Sequence, residues 1–273
     1  MELSAQVKRA VWRYEPIQAE GLTLYPVRVG DYALFNSARP AIELMQQTLP
    51  VRYASMPLLS AYYAMDYDAL ARGDGTIGLF GRALLFLALA LRIGEGRGAG
   101  ELLRRFRIVC GEDDPSRLVK IQFTVDGEER QSVTPAQFAR LRPILAAQNG
   151  VELVGDAENP ELVEAQKDLD ARSAPKLDFD VRHLIDSVSV LTGCDEKDVD
   201  AWPILKLQNR RKALRRLMDY AICGICEGSG ATWKGGNPCP DPFFPRDVTK
   251  NDALIPIGDF LGSAGGVQDR TGQ

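Results

Sequence analysis

Three cysteines near the C-terminal end of the sequence are the residue types best suited to hold a metal ion. Cys223-Gly-Ile-Cys226 has the spacing at which two thiolates bind one zinc ion, and Cys239 follows downstream. A closed zinc site needs four ligands, and neither a cysteine nor a histidine follows Cys239. Cys223 and Cys226 also continue an apolar helical pattern, in which cysteine behaves as a small hydrophobic residue. We therefore expect no cofactor and keep zinc as the less favoured alternative.

A run of basic residues just before these cysteines is the strongest charge feature of the sequence: Arg210, Arg211, Lys212, Arg215 and Arg216. On a helix these side chains form a basic side opposite an apolar stripe that contains Leu207, Leu214 and Leu217. Two interpretations stay open, a docking face for an acidic partner and an ordinary solvated helix face. Nucleic-acid binding is not expected, because the net charge is −4 and no aromatic residues for base stacking are interleaved with the basic ones.

Signals for catalysis are weak. The single histidine, His183, has no nucleophile-elbow sequence to pair with, and the acidic residues do not follow the spacing of a calcium loop. The glycine-rich segment 94–100 follows a predicted helix and precedes a predicted strand, the reverse of the order in a dinucleotide-binding loop. A two-carboxylate glycosidase stays open, because its acids come from anywhere in a chain. The sequence predicts a protein that is not an enzyme and works by binding other proteins.

The composition indicates a folded chain in a reducing compartment. The apolar fraction is 45% and the charged fraction 26%, which is ordinary for a protein with a buried core. An odd number of cysteines and an N-terminal segment without an apolar leader predict reduced thiols in a cytoplasm. The most apolar stretch, 79–91, falls short of the ~20 residues that span a bilayer, so it predicts a buried helix and no membrane association.

Local patterns predict an α+β fold that is mostly helical, with a small central antiparallel β-sheet and a Gly/Pro-rich C-terminal tail. Alternating Ile121 and Phe123, followed by Asp126-Gly127, predict a strand and a turn. Thr134-Pro135 and Asn159-Pro160 predict helix starts, and Trp202-Pro203 opens the last long helix. We expect an N-terminal helical part with a short leading strand over 1–100, the sheet and further helices over 101–227, and an irregular tail over 228–273.

Several short segments resemble a group of phage-encoded proteins of Gram-positive hosts. These proteins are found beside the tail tape-measure protein and are interpreted as tail assembly chaperones. The resembling segments are Leu-Tyr-Pro-Val-Arg-Val-Gly-Asp-Tyr at 24–32, Arg-Pro-Ile-Leu-Ala-Ala-Gln-Asn-Gly-Val-Glu at 142–152 and Asn-Pro-Glu-Leu at 159–162. The helix that begins after Asp195 and runs through Trp202 to Met218 belongs with them.

The resemblance implies a non-enzymatic protein of the host-cell cytoplasm that keeps the tape-measure protein soluble and recruits tail-tube subunits. The resembling proteins have no catalytic residues that could be assigned to positions of this sequence. The resemblance also implies that binding takes place through apolar grooves and charged faces. One alternative is a structural tail or baseplate component that stays in the virion, for which self-association into a homo-oligomer is expected. The second alternative is a small zinc-containing interaction module centred on the three cysteines.

Overall fold

A computed structural model describes residues 3–73, 77–94, 96–125, 130–153, 180–230, 232–233 and 236–244. Within these residues the chain is mostly helical and contains two small antiparallel sheets, which confirms the predicted α+β fold. The chain divides into two units, Met1–Arg211 and Lys212–Gln273. The turn predicted at Asp126-Gly127, the helix predicted after Asn159-Pro160 and the tail from residue 245 onward lie outside the described residues.

The N-terminal segment contains a helix and a hairpin. Helix α1 (Ala5–Arg13) begins after Ser4, whose side-chain oxygen accepts a hydrogen bond from the Val7 N–H at 3.3 Å. Strands β1 (Ile17–Ala19) and β2 (Leu22–Leu24) pair antiparallel. The two residues between the strands have φ angles of 53° and 78°, which is the backbone geometry of a tight two-residue hairpin turn. The sequence predicted only the second of these strands.

The core of the first unit is built around one apolar helix. Five helices follow the hairpin: α2 (Tyr32–Ala38), α3 (Pro40–Glu43), α4 (Val51–Ala54), α5 (Leu58–Ala71) and α6 (Leu79–Ala90). Helices α2, α3 and α5 all pack on α6, and the rings of Phe35 and Phe86 lie 5.7 Å apart. The prediction of a buried helix over 79–91 is confirmed. In the described part of the chain, no helix combines the length and the apolar character needed to cross a membrane.

The central sheet follows α7 (Ala99–Leu103) and has three strands, β3 (Arg107–Cys110), β4 (Leu118–Thr124) and β5 (Arg130–Val133). Strand β4 lies in the middle and is antiparallel to both neighbours. Ile121, Phe123 and Val133 are buried, and β4 packs on α5 and on the next helix. The alternation of apolar and polar residues in β4 is therefore the pattern of a sheet with one buried face.

Helix α8 (Pro135–Gln148) begins where Thr134-Pro135 predicted it. The Gln137 N–H donates to the Thr134 hydroxyl at 3.2 Å, and the Thr134 N–H donates to the Gln137 side chain at 2.9 Å. This reciprocal pair satisfies two backbone donors at the helix start. The start of α8 is thus determined by residues that are neighbours in the sequence.

Two buried amide side chains at the end of α8 hold the N-terminal segment. The Asn149 side chain accepts a hydrogen bond from the Val27 N–H at 2.8 Å, and the Gln148 side chain donates to the Leu24 carbonyl at 3.0 Å. The Ile204 N–H in turn donates to the Val27 carbonyl at 2.9 Å, and the Val29 N–H to the Trp202 carbonyl at 2.8 Å. Segments around 27, 149 and 203 therefore meet at one place in the first unit, which we call the amide junction.

Three helices complete the described chain: α9 (Val181–Thr192), α10 (Glu196–Asp200) and α11 (Ile204–Gly228). Helix α9 ends at Gly193, whose φ of 67° is the left-handed conformation of a helix C-terminus. Helix α11 begins just after Trp202-Pro203, as predicted, and the boundary between the two units falls within it. After Gly228, the residues that the structure describes lie in neither helices nor strands.

Candidate functional site

An open groove of about 790 Å³ lies in the first unit, bordered by α5, the start of α6 and β3. We call it the α5–β3 groove, and its main apolar lining consists of Tyr53, Tyr63, Tyr67, Leu70, Ile77 and Ile108. Leu70 is 65% exposed, Ile77 49% and Ile108 42%. A concave surface lined by several exposed large apolar side chains is typical of a binding site.

Helix α5 creates this groove because it is apolar on two sides. Leu59 and Tyr62 are fully buried and point into the core. Tyr63, Tyr67 and Leu70 recur at the helical spacing of four and then three residues, so they share a second face. The protein core covers only the face that contains Leu59 and Tyr62, and the face that contains Tyr63, Tyr67 and Leu70 lines the groove.

The aromatic side of the groove is held rigidly. The ring of Tyr63 lies 5.1 Å from that of Phe80 in an edge-to-face arrangement. Its hydroxyl donates to the Pro115 carbonyl at 2.9 Å and lies 3.0 Å from the Cys110 sulfur. Burial, reinforced by the contact with Cys110, raises the pKa of Tyr63 well above its usual range. This hydroxyl therefore stays protonated at neutral pH and serves as a structural donor.

The carboxylate in the groove caps a helix. Asp66 accepts hydrogen bonds from the backbone N–H groups of Phe80 at 3.0 Å and Gly81 at 3.4 Å, at the start of α6. Burial outweighs these bonds and raises the pKa of Asp66. A Cβ at Gly78 would lie 1.9 Å from an Asp66 carboxylate oxygen, so glycine is required there for the cap to form. The carboxylate of Asp66 and the absence of a side chain at Gly78 therefore both serve the start of α6.

Charged residues line the rim of the groove. The Arg52 guanidinium lies 3.2 Å from the Asp68 carboxylate and 4.4 Å from the centre of the Tyr53 ring. The Tyr53 hydroxyl donates to the same carboxylate at 2.7 Å. Arg72 is exposed on the same rim. Asp68 therefore neutralises Arg52, whereas Arg72 is exposed to solvent.

The groove is therefore suited to binding. Its lining, among the residues that the structure describes, contains no histidine, serine, cysteine or lysine. Apart from the exposed Arg72, the ionisable side chains that it does contain take part in helix capping, ring packing, hydrogen bonding or ion pairing. An apolar surface with a few fixed polar groups is the composition of a recognition site.

The predicted basic residues all lie on α11. Arg210, Arg211, Lys212 and Arg215 are exposed, whereas Arg216 is half-buried. The Arg215 side chain is 76% exposed and lies 3.7 Å from Asp219 one turn on. Leu207 is buried, but further along the same apolar stripe Leu217 is 45% exposed. The C-terminal half of α11 thus presents both charged and apolar side chains to solvent.

The three cysteines near the C-terminal end of the sequence differ in burial. Cys223 is buried, and Cys226 and Cys239 are half-buried. Burial raises the pKa of the Cys223 thiol, and hydrogen bonding with the Cys239 thiol raises it further. Among the described residues, no group of three or more His, Cys, Asp or Glu side chains has an arrangement that could hold a metal ion. Zinc binding by the three cysteines therefore stays a prediction.

No protein-family model, curated protein or solved structure matches the chain.

No local pattern in the sequence predicts the groove. Its lining comes from segments 50–81 and 103–108, and nothing local shows that these segments meet. One signal was present in the sequence, namely that α5 carries more apolar residues than a single buried face requires. This surplus of apolar residues indicates that α5 has a second face, which either is covered or binds a partner. It does not indicate the shape of the groove.

Proposed function

We propose that this chain is a non-enzymatic assembly protein that binds a helical segment of a partner protein in the α5–β3 groove. The observation that carries the proposal is the exposed apolar lining, with Leu70 65% and Ile77 49% exposed beside a rigid aromatic wall. Amphipathic helices bind such grooves by inserting apolar side chains spaced three and four residues apart.

The partner that we propose is the tape-measure protein of a phage tail. The resemblance of segments 24–32 and 142–152 to tail assembly chaperones supports this choice, and so does the geometry of the groove. A long helical protein has apolar stripes that aggregate in water unless another protein covers them. Acidic residues beside such a stripe would complement the exposed Arg72 on the rim.

The test is co-purification with the tape-measure protein encoded in the same phage or prophage genome. Leu70→Glu and Ile77→Glu should each weaken binding at least about tenfold, because a carboxylate in an apolar interface loses its hydration. Val190→Glu is the matched control, since Val190 is 81% exposed on α9 and does not line the groove. Equal binding by all three variants would show that the groove is not the interface.

Mass spectrometry of purified virions separates this proposal from the structural alternative. A chain that captures the tape-measure protein but is absent from virions acts as a chaperone. A chain present in virions in stoichiometric amounts is a permanent tail component. Capture of no phage protein from induced cells would reject the family assignment.

A further inference from the structure

The C-terminal half of α11 presents an apolar surface to solvent. Its residues Leu217, Met218, Ala221, Ile222 and Ile225 are all exposed, and Ile225 is 70% exposed. They recur at spacings of three and four residues, so they lie on one side of the helix. We call this stripe of five side chains the α11 face.

The segment that follows α11 covers the opposite side of the helix. Cys223 is the only buried residue that the structure describes from Lys212 onward, and the Asn237 side chain donates to the Glu227 carboxylate at 3.0 Å. Cys223 and Glu227 each lie two residues from Ile225, which is about half a helical turn. A helix in a protein is stabilised mainly by packing of its apolar side, so the α11 face has the character of a surface that a partner covers.

Basic residues lie at the N-terminal end of the α11 face. Residues 210–226 contain five basic side chains and one acidic one, which lies 3.7 Å from Arg215 within the same helix. Arg211 and Arg215 lie seven residues before Met218 and Ile222 respectively, so these four side chains follow the same edge of α11. A partner that covers this edge therefore lies beside two exposed cations.

A second copy of the chain does not complement this charge. Its own α11 would bring five more basic side chains to the contact, and the single acidic side chain there already pairs with Arg215. Like charges placed opposite one another in an interface are destabilising. The charge of α11 instead favours a partner that supplies acidic side chains.

An anionic lipid surface also attracts helices that are both basic and apolar. A helix that lies flat on such a surface carries its basic side chains along the length of its apolar side. From Leu217 to Gly228, however, the sequence of α11 contains neither lysine nor arginine. The cations precede the apolar residues, which favours a partner helix with acidic residues at one end.

We propose that the α11 face binds an amphipathic helix of another protein, which has acidic residues at the end that lies beside Arg211 and Arg215. The apolar side chains of that helix insert between Met218, Ile222 and Ile225, as in a coiled coil. Its acidic residues pair with the two arginines and so set the direction in which the helix lies along α11. The residues of this surface do not line the α5–β3 groove, and the inference does not depend on the function proposed for the groove.

The test measures binding of the full-length chain to two synthetic amphipathic peptides by fluorescence anisotropy. Both peptides have leucine at the coiled-coil positions that contact α11, and they carry either glutamate or lysine at the flanking positions of one end. The glutamate peptide should bind at least about tenfold more tightly than the lysine peptide. This difference should shrink as salt is added, because the charges lie at the surface.

Variants of the chain place the peptide on α11. Met218→Glu and Ile225→Glu should each weaken binding of the glutamate peptide at least about tenfold, because a carboxylate in an apolar interface loses its hydration. Both positions are exposed, so circular dichroism should show an unchanged helix content. Leu70→Glu in the groove and Val190→Glu on α9 are the controls and should bind the peptide like the wild type.

Several results would overturn the inference. Absence of binding at peptide concentrations up to about 1 mM, or equal binding of the two peptides, would reject an acidic helix as the ligand. Binding that Leu70→Glu weakens and Ile225→Glu does not would place the peptide in the groove. Self-association that Ile225→Glu abolishes would assign the α11 face to a second copy. Sedimentation with phosphatidylglycerol vesicles that the same variant abolishes would assign it to a lipid surface.

Discussion

Two opposing effects act on the charge of Asp66, the acid inside the α5–β3 groove. Backbone N–H groups at the start of α6 favour its ionised form, and burial disfavours it. Burial is the larger effect, so the pKa in the folded state lies above the ordinary value near 3.8. The folded chain therefore binds the Asp66 proton more tightly than the unfolded chain does.

Asp66→Asn removes this penalty but keeps an oxygen that accepts the Phe80 N–H. The contribution of Asp66 to stability is fully present below the unfolded pKa and is lost as the pH rises through the folded pKa. We therefore expect the variant to be at least as stable as the wild type at pH 7, with an advantage that shrinks as the pH falls to about 4. Urea unfolding across this pH range measures the difference.

Asp186→Asn serves as the control for loss of a carboxylate, because Asp186 is exposed on α9. A variant of Asp66 that is less stable than the wild type at pH 7, by an amount that shrinks as the pH falls, would mean that the charged cap stabilises α6. The role of Asp66 was not predictable from the sequence, where it is one of two acids on α5. Its hydrogen-bond partners lie 14 and 15 residues away on another helix.

At the scale of elements, the sequence predicted the helices and strands whose formation depends on residues close together in the chain. The Thr134-Pro135 start of α8 depends on a capping box that closes within three residues. The alternation of apolar and polar residues in β4 can likewise be read within the strand itself. Strand β1 was not predicted because three residues are too few to show the alternation of a strand. These residues form a strand because they pair with β2. Helix α1 was missed because it buries none of its residues, so its pattern differs from that of a core helix.

The exposed basic residues of α11 give a prediction about partner binding. Reversing Arg211 and Arg215 to Glu should weaken binding to an acidic partner while leaving the melting temperature nearly unchanged. Both side chains are exposed, and the Arg215–Asp219 pair contributes about 0.3–0.5 kcal/mol at most. Partner capture at two salt concentrations, with thermal unfolding in parallel, measures both effects.

Arg9→Glu with Arg182→Glu is the matched control, because it makes the same change in net charge at exposed positions on α1 and α9. Binding lost equally in both double variants would indicate a general effect of charge. Binding retained in both would leave the basic residues of α11 as an ordinary solvated helix face.

At the scale of the whole molecule, contacts distant in sequence decide the form of the first unit. The amide junction joins residues around 27, 149 and 203, and the groove joins residues 50–81 to 103–108. Composition and periodicity describe each segment alone, so neither feature was predictable from them. Segments 24–32 and 142–152 include residues of the junction, so their sequence serves packing and hydrogen bonding there.

Asn149→Ala tests the junction. The change leaves the buried Val27 N–H without its acceptor, and it should lower the free energy of unfolding by about 1–3 kcal/mol. For a unit of this size, each kcal/mol lowers the melting temperature by roughly 2–4 °C. Asn209→Ala is the control, because Asn209 is exposed and donates only to the exposed Tyr14 hydroxyl. Equal losses in the two variants would show that the buried position of Asn149 adds nothing.

The amide junction also sets the order in which this protein becomes folded during its synthesis. The Val27 N–H and its acceptor on Asn149 are 122 residues apart, and the contact with Ile204 comes later still. At a translation rate of about 5–20 residues per second, the first of these gaps takes roughly 6–24 s. The N-terminal hairpin therefore leaves the ribosome long before its partners exist. The amide junction can therefore form only after the residues around 203 have been synthesised.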